Sequence, residues 1–298
     1  LPDTSTTQYA VVRFHSVRVA HAAATGLLVA LGVTCVACTP SPSPASRSPL
    51  SPPPPTASRS PLSPPAAPSP AAPAVVAGAG LVHRTVRLTT TRAGTPVVAL
   101  HLGNPARPAV LVVGCIHGNE TAGIAVADLL ARLPAGRLAA VNLWIVATLN
   151  PDGVRRGTRV NSDGVDLNRN FPARWQPLGR RGDIHYAGPA PASEPETVAM
   201  VQLLKTVRPA VGIWFHQALA VVDTSEGPAA PEKALAQALR LPEQALPDYP
   251  GSAVGFDNTL VRRSAFVVEL AAGPLGVAAR RRAADAILAL AAGLPGRR

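Results

Sequence analysis

The chain is 298 residues long, 47% hydrophobic and only 4% aromatic, and its formal net charge of +11 is carried almost wholly by arginine, with Lys205 and Lys233 its only lysines. A basic balance of this kind suits acidic surfaces and polymers, but few aromatic rings and no nucleic-acid motif argue against a protein that stacks on bases. Cys35, Cys38 and Cys115 are the only cysteines; one alone falls in the globular part, which excludes a disulfide within it.

The N-terminus has the pattern of an export signal. Arg13 and Arg18 precede residues 22–38, a 17-residue run without a charge. That run is short for a membrane span and fits the apolar region of a signal peptide. It ends in Val36-Ala37-Cys38 before a Pro/Ser tract, as at a lipoprotein cleavage site, although Cys35 stands where such sites usually carry Leu. The expectation for residues 1–38 is a signal, lipoprotein-like or membrane-anchor segment. The product is then exported to the cell envelope, membrane-anchored or secreted, with this segment as the tether.

Residues 39–78 read as a disordered linker. The 33 prolines of the chain are dense between positions 39 and 73, and ASRSPLSPP occurs at 45–53 and again at 57–65. Such a tract favours extended polyproline II and acts as a semi-rigid spacer.

Residues 79–298 read as one folded domain with enough apolar sequence for a sizeable core. Strands are expected at 84–91 and 96–102. AVLVVGCI (109–116) is a continuous apolar run, as in a buried parallel strand. A helix is expected at 121–132, stopped by Pro134, then a buried strand at 142–149. Residues 150–192 are polar, rich in Gly and Pro, and long for a loop; such loops are usually functional. Further on come a helix at 194–206, a strand at 211–215, a helix at 233–240, a strand at 265–270 and a terminal helix at 277–292. The alternation predicts an α/β fold with a mixed, mostly parallel β-sheet and flanking helices.

Ligands in such folds bind beyond the C-terminal ends of strands, and the polar residues fall there. His117 and Glu120 follow the strand at 109–116, and His216 follows the strand at 211–215. Two histidines and a carboxylate from separate strand ends can converge on one metal, a known catalytic zinc set when water fills the fourth position. Asn168 and Arg169 place an amide beside a guanidinium, a pair suited to gripping a carboxylate. Glu269 lies inside an otherwise apolar strand, where a carboxylate is costly unless paired or functional; burial would make it a general base near neutral pH.

Together HGNE (117–120), NPDG (150–153), Arg156, DLNRN (166–170), SEPET (193–197), His216 and VVEL (267–270) resemble the zinc carboxypeptidase (funnelin) family. The resemblance covers about residues 82–293. It implies one zinc per chain held by His117, Glu120 and His216, with Asp166 orienting a ligand histidine. It further implies that Asn168 and Arg169 clamp the substrate's terminal carboxylate and that Tyr249 closes over it. Arg156 is implied as the oxyanion-stabilising electrophile, and Glu269 as the general base. HQALAVVD (216–223) is similar to the bacterial murein-peptide amidases of the family, which cut γ-D-glutamyl–diaminopimelate bonds. The implied substrate is thus a peptide or peptidoglycan peptide. Asp257 is a candidate for meeting the amino group of a diaminopimelate side chain.

Two other readings share part of this pattern. A deacylase of the aspartoacylase and succinylglutamate desuccinylase type also carries His-x-x-Glu, a later His and a DLNR-like segment, but NPDG and the FVVEL strand favour the peptidase. An inactive wall-binding lipoprotein would show a broken ligand set or lack Glu269, and neither is broken. His83 and His101 are expected to be structural, Cys115 a small core residue, and His185 a residue of the long loop, with the rim of the site as its other reading. The sequence carries no signal for an oligomeric state.

Overall fold

A computed structural model describes residues 80–296, so the segments 1–38 and 39–78 lie outside the described residues. The central strand, β3 (Val110–Val113), is buried at all four positions, because it has a parallel neighbour on each side and a layer of side chains on each face. Its neighbours are β4 (Asn142–Val146) and β5 (Val211–Asp223), both parallel to it. Beyond β4 come β2 (Pro96–Gly103) and the edge strand β1 (Val82–Thr90), joined as antiparallel pairs. Beyond β5 lie β7 (Ala265–Ala271) and the two-residue β6 (Glu243–Gln244), both parallel to it. The sheet is therefore mixed, with its parallel strands on the side that carries the chemistry.

Helices cover both faces. α1 (Ile124–Ala131), α4 (Ala229–Leu239) and α6 (Val277–Gly293) pack on one core with Val110, Val112, Ile213, Phe215 and Phe266. α3 (Pro195–Val207) and α5 (Ala253–Leu260) pack on the other, with Leu111, Val113, Trp214 and Phe171. Neighbouring residues of β3 and β5 thus feed opposite cores, as the two-residue period of a strand requires.

Two helices stand where loop was expected. α2 (Pro151–Arg156) begins in NPDG: Asn150 is its N-cap, accepting from the Gly153 N–H at 2.9 Å, Pro151 takes the first turn, and Gly157 closes it at φ 64°. α5 is capped by Ser252, whose Oγ accepts from the Gly255 N–H at 3.1 Å. Short, glycine-bearing helices carry little periodicity, and both are recognisable only by their caps.

The strand expected at 211–215 instead runs to Asp223, so His216 lies within β5 rather than after it. Its first part pairs with β7 in parallel register, placing His216 opposite Glu269. The chain then turns at Ala220 (φ 58°), and Val221 comes opposite Glu269 again. Glu269 is thereby held beside two arms of one strand. Among the described residues no helix is long and apolar enough to cross a membrane.

Candidate metal centre

β3 ends at Val113, and the chain leaves the sheet through buried Cys115 and Ile116 to reach His117. The turn that follows packs directly on α2. A Cβ on Gly118 would lie 2.0 Å from the Gly153 carbonyl carbon, so only glycine allows the approach. The turn delivers Glu120 beside His117, and β5 brings His216 to the same point. His117 Nδ1 lies 2.9 Å from Glu120 Oε2, His216 Nδ1 lies 3.0 Å from that oxygen, and the two Nδ1 atoms are 3.2 Å apart. All three residues are buried. Ligand atoms of a tetrahedral zinc with bonds of about 2.0–2.1 Å sit about 3.3–3.4 Å from one another. The three atoms lie slightly inside that spacing and converge on one point, and the set leaves a fourth position open. The residues present therefore fit a catalytic zinc.

His117 is fixed from behind. Its Nε2 lies 3.1 Å from Asp166 Oδ1, which sets the tautomer and presents Nδ1 as the free lone pair. Asp166 is fully buried and accepts also from Arg159 Nε at 2.9 Å and from its own N-capped turn, the Asn168 N–H, at 2.9 Å. Burial would raise the Asp166 carboxyl, but His117, Arg159 and Arg169 outweigh it and hold it well below the usual carboxylate range. Glu120 is held low in the same way, burial being overcome by His117 and His216.

The triad opens into a cavity of about 280 Å³ whose walls include Arg159, Asn168, Arg169, His185, Asp223, Tyr249 and Glu269. Arg169 is only 7% exposed and, among the described residues, has no carboxylate ion-pair partner. Its guanidinium instead donates to the Asn168 carbonyl at 2.8 Å and lies 4.3 Å from the centre of the Tyr249 ring. Asn168 Oδ1 accepts from the Ala253 N–H at 2.8 Å, which fixes the orientation of its amide. Glu269 is half-buried, and its Oε2 accepts from the Leu219 N–H at 3.4 Å. Burial, reinforced by Glu120, raises the Glu269 carboxyl against the opposing pull of His216.

Two expectations are corrected. Arg156 does not reach the cavity; it is exposed in the last turn of α2. The arginine at the centre is Arg159, past the Gly157 cap, which also donates to Glu120 Oε1 at 3.2 Å. Asp257 does not face substrate space either. It is fully buried on α5, and its nearest donor is the Trp214 indole at 3.4 Å. His185, half-exposed in the long loop, takes the rim position and lines the cavity with Nδ1 3.4 Å from Asp166 Oδ2. Nothing in the residues around His185 marks it. Cys115 is buried as expected, with burial pushing its thiol up to about 12. A larger apolar groove of about 690 Å³ runs between β1 and α3, but none of the metal, clamp or base candidates lines it.

A sequence profile of the zinc carboxypeptidase family matches residues 80–224. Murein peptide amidase A of Escherichia coli (strain K12) is 33% identical over 160 residues, covering 50% of this chain and 65% of the relative's length. The solved structure of the murein-tripeptide amidase of Escherichia coli O157 superposes with a TM-score of 0.56 at 26% identity, covering 72% of this chain and 93% of that one. The carboxypeptidase A of Helicoverpa armigera shares the fold, with a TM-score of 0.61 at 18% identity over 71% of this chain and 68% of that one.

Asp257 yields a prediction about stability. Burial raises its carboxyl from 3.8 to about 7, against the weaker effect of the Trp214 hydrogen bond. With the folded value above the unfolded one, the contribution is fully present below about pH 4 and is lost as pH rises through about 7. Asp257→Asn keeps an acceptor for Trp214 and removes the titration. The variant is expected to melt above wild type at pH 8 and to lose that advantage by pH 4. Parallel melting curves across this range would contradict the assignment.

Proposed function

Since the chain belongs to the zinc carboxypeptidase family, we propose that it is an exported zinc hydrolase that removes the C-terminal residue of a peptide, with peptidoglycan-derived peptides as its natural substrates. One observation carries the reading. A buried guanidinium with no carboxylate partner, Arg169, opens onto the same cavity as a zinc-fitting triad and a half-buried carboxylate, Glu269. Leaving a charge buried and unpaired is costly, and a substrate's terminal carboxylate is the ligand that relieves it. The murein branch is supported by the likeness to the murein amidases of Escherichia coli.

Zinc, when bound, acidifies a water and polarises a carbonyl. The remaining work falls to the protein's own side chains. Asn168 and Arg169 grip the terminal carboxylate and so set which amide bond lies in the cavity. Tyr249, 48% exposed over Arg169, is placed to cover the bound residue. Glu269, with its carboxyl raised by burial, takes the proton of the attacking water and returns it to the departing amine. Arg159 has Nε on Asp166 and Nη1 on Glu120, leaving Nη2 to donate to the developing oxyanion. The role implied for Arg156 passes to Arg159.

The roles separate experimentally. Glu269→Gln is expected to keep zinc and substrate affinity while turnover falls by about 10³-fold or more. Arg159→Ala should lower kcat by about 10²–10³-fold, whereas Arg156→Ala should alter it by less than about two-fold. The substrates are a γ-D-glutamyl–diaminopimelate tripeptide, all-L peptides with free or amidated ends, and N-acyl amino acids. The murein peptide is expected to be cut fastest and amidated peptides not at all. Fastest turnover of N-acyl amino acids would assign the domain to the deacylases, and cleavage of amidated peptides would remove the clamp.

Export rests on the N-terminal sequence alone. Fractionation of cells producing the full chain is expected to place it outside the cytoplasmic membrane, with Cys38→Ser releasing it if the anchor is a lipid. Wild-type protein found wholly in the cytosol would contradict export.

A further inference from the structure

We propose that His185 binds a second carboxylate of the substrate, carried by the acyl residue next to the bond that is cut, as a γ-linked glutamyl residue carries one. The inference rests on the peptidase reading and names the group recognised on the far side of the scissile amide from the clamp.

His185 lies in the long loop before α3, and its side chain is 50% exposed on the wall of the triad's cavity. Its Nδ1 faces Asp166 Oδ2 at 3.4 Å. Facing a carboxylate, that nitrogen is the donor. Among the described residues the other ring nitrogen, Nε2, has no hydrogen-bond partner. The ring is thus held at one nitrogen and left free for a ligand at the other.

Its neighbours are already engaged. Arg159 Nε shares Asp166 Oδ2 with His185, at 2.9 Å, and Arg159 Nη1 is on Glu120. Arg169 donates to the Asn168 carbonyl and lies against the Tyr249 ring. The recess that adjoins the clamp is lined by Asn168, Pro247 and Tyr249, and by neither Arg159 nor His185. With the released residue on the clamp and the scissile carbonyl on Arg159, the acyl residue is left the remaining part of the cavity. His185 is the half-exposed basic group there.

The chemistry of the linkage decides what meets it. In a γ-linked glutamyl residue the α-carboxylate stands a short aliphatic chain away from the scissile carbonyl. An α-linked residue with a neutral side chain has no anion in that place. A carboxylate drawn out of water needs charged donors, and a doubly protonated imidazole donates one N–H to each side. One serves Asp166 and the other the substrate. Arg159 and Arg169 both lie close enough to act on Asp166, so the arriving carboxylate meets a wall with three basic side chains around one aspartate.

The test compares L-alanyl-γ-D-glutamyl-diaminopimelate with its analogue in which the glutamyl α-carboxylate is a carboxamide. The released residue and the scissile bond are the same in both. On the zinc-loaded full chain, kcat/KM is expected to favour the acid by at least about ten-fold, the scale of one charge-assisted hydrogen bond. The difference is expected mainly in KM. His185→Gln keeps a donor for Asp166 and removes the charge, and the ratio is expected to fall below about three. Zinc occupancy of the variant reports whether the Asp166 network is intact, and the wild-type ratio is readable whether or not the variant folds. Acid and amide cut equally well by wild type would overturn the inference and leave the peptidase reading standing. So would a ratio that survives His185→Gln. Hydrolysis of neither compound, nor of the all-L peptides, would sink the peptidase reading and the inference with it.

Discussion

The buried carboxylate of Asp166 is the point on which the site depends. A carboxylate with no solvent exposure costs several kcal/mol unless donors surround it. Its donors come from separate stretches of chain: His117 from the turn after β3, Arg159 from beyond α2, and the N–H of Asn168 from its own turn. Satisfying Asp166 therefore fixes one candidate zinc ligand, the candidate oxyanion donor and the start of the candidate clamp in a single arrangement. Arg159 bridges onward to Glu120, so the network closes on the triad itself. No one of these contacts could be moved without leaving a buried charge short of a partner.

The second constraint is the length of β5 and β7. Both outrun the four-residue β3 between them and the rest of the sheet, and the overhang is where His216 and Glu269 face each other in register. The fold-back of β5 at Ala220 supplies the Leu219 N–H to Glu269 and ends on Asp223. One strand thus contributes a candidate metal ligand, a brace for the candidate base and a buried carboxylate, Asp223, on the cavity wall. Gln217 ties the overhang down, its Oε1 accepting from the Ala122 N–H while its Nε2 donates to the carbonyls of Ala271 and Gly273.

Much of this was legible in the sequence. The apolar runs around Val112, Ile145 and Ile213 mark parallel strands because both of their faces are buried, and the histidines that follow two of those runs, His117 and His216, locate the site. Arg156 and Asp257 were misplaced for one shared reason, a short helix that periodicity does not reveal. In α2, the Gly157 that follows Arg156 is a C-cap signal; read as such, it puts Arg156 on an outward turn and Arg159 on the returning chain. In α5, the Ser252 cap sets a helical phase that turns Asp257 into the core against Trp214. His185 has no local signal, and Asp223 is marked only as the last residue of HQALAVVD (216–223). The first lies in a long loop without period, and the second becomes part of the cavity only because β5 folds back.

The measurement that tests the account most directly is zinc affinity, by competition with a chelator, for wild type and Asp166→Asn. One zinc per chain is expected for wild type. The variant should bind about 10–100-fold more weakly, because His117 loses the carboxylate that fixes its tautomer. Equal affinities, or a wild-type protein that takes up no zinc, would contradict a metal centre organised by Asp166.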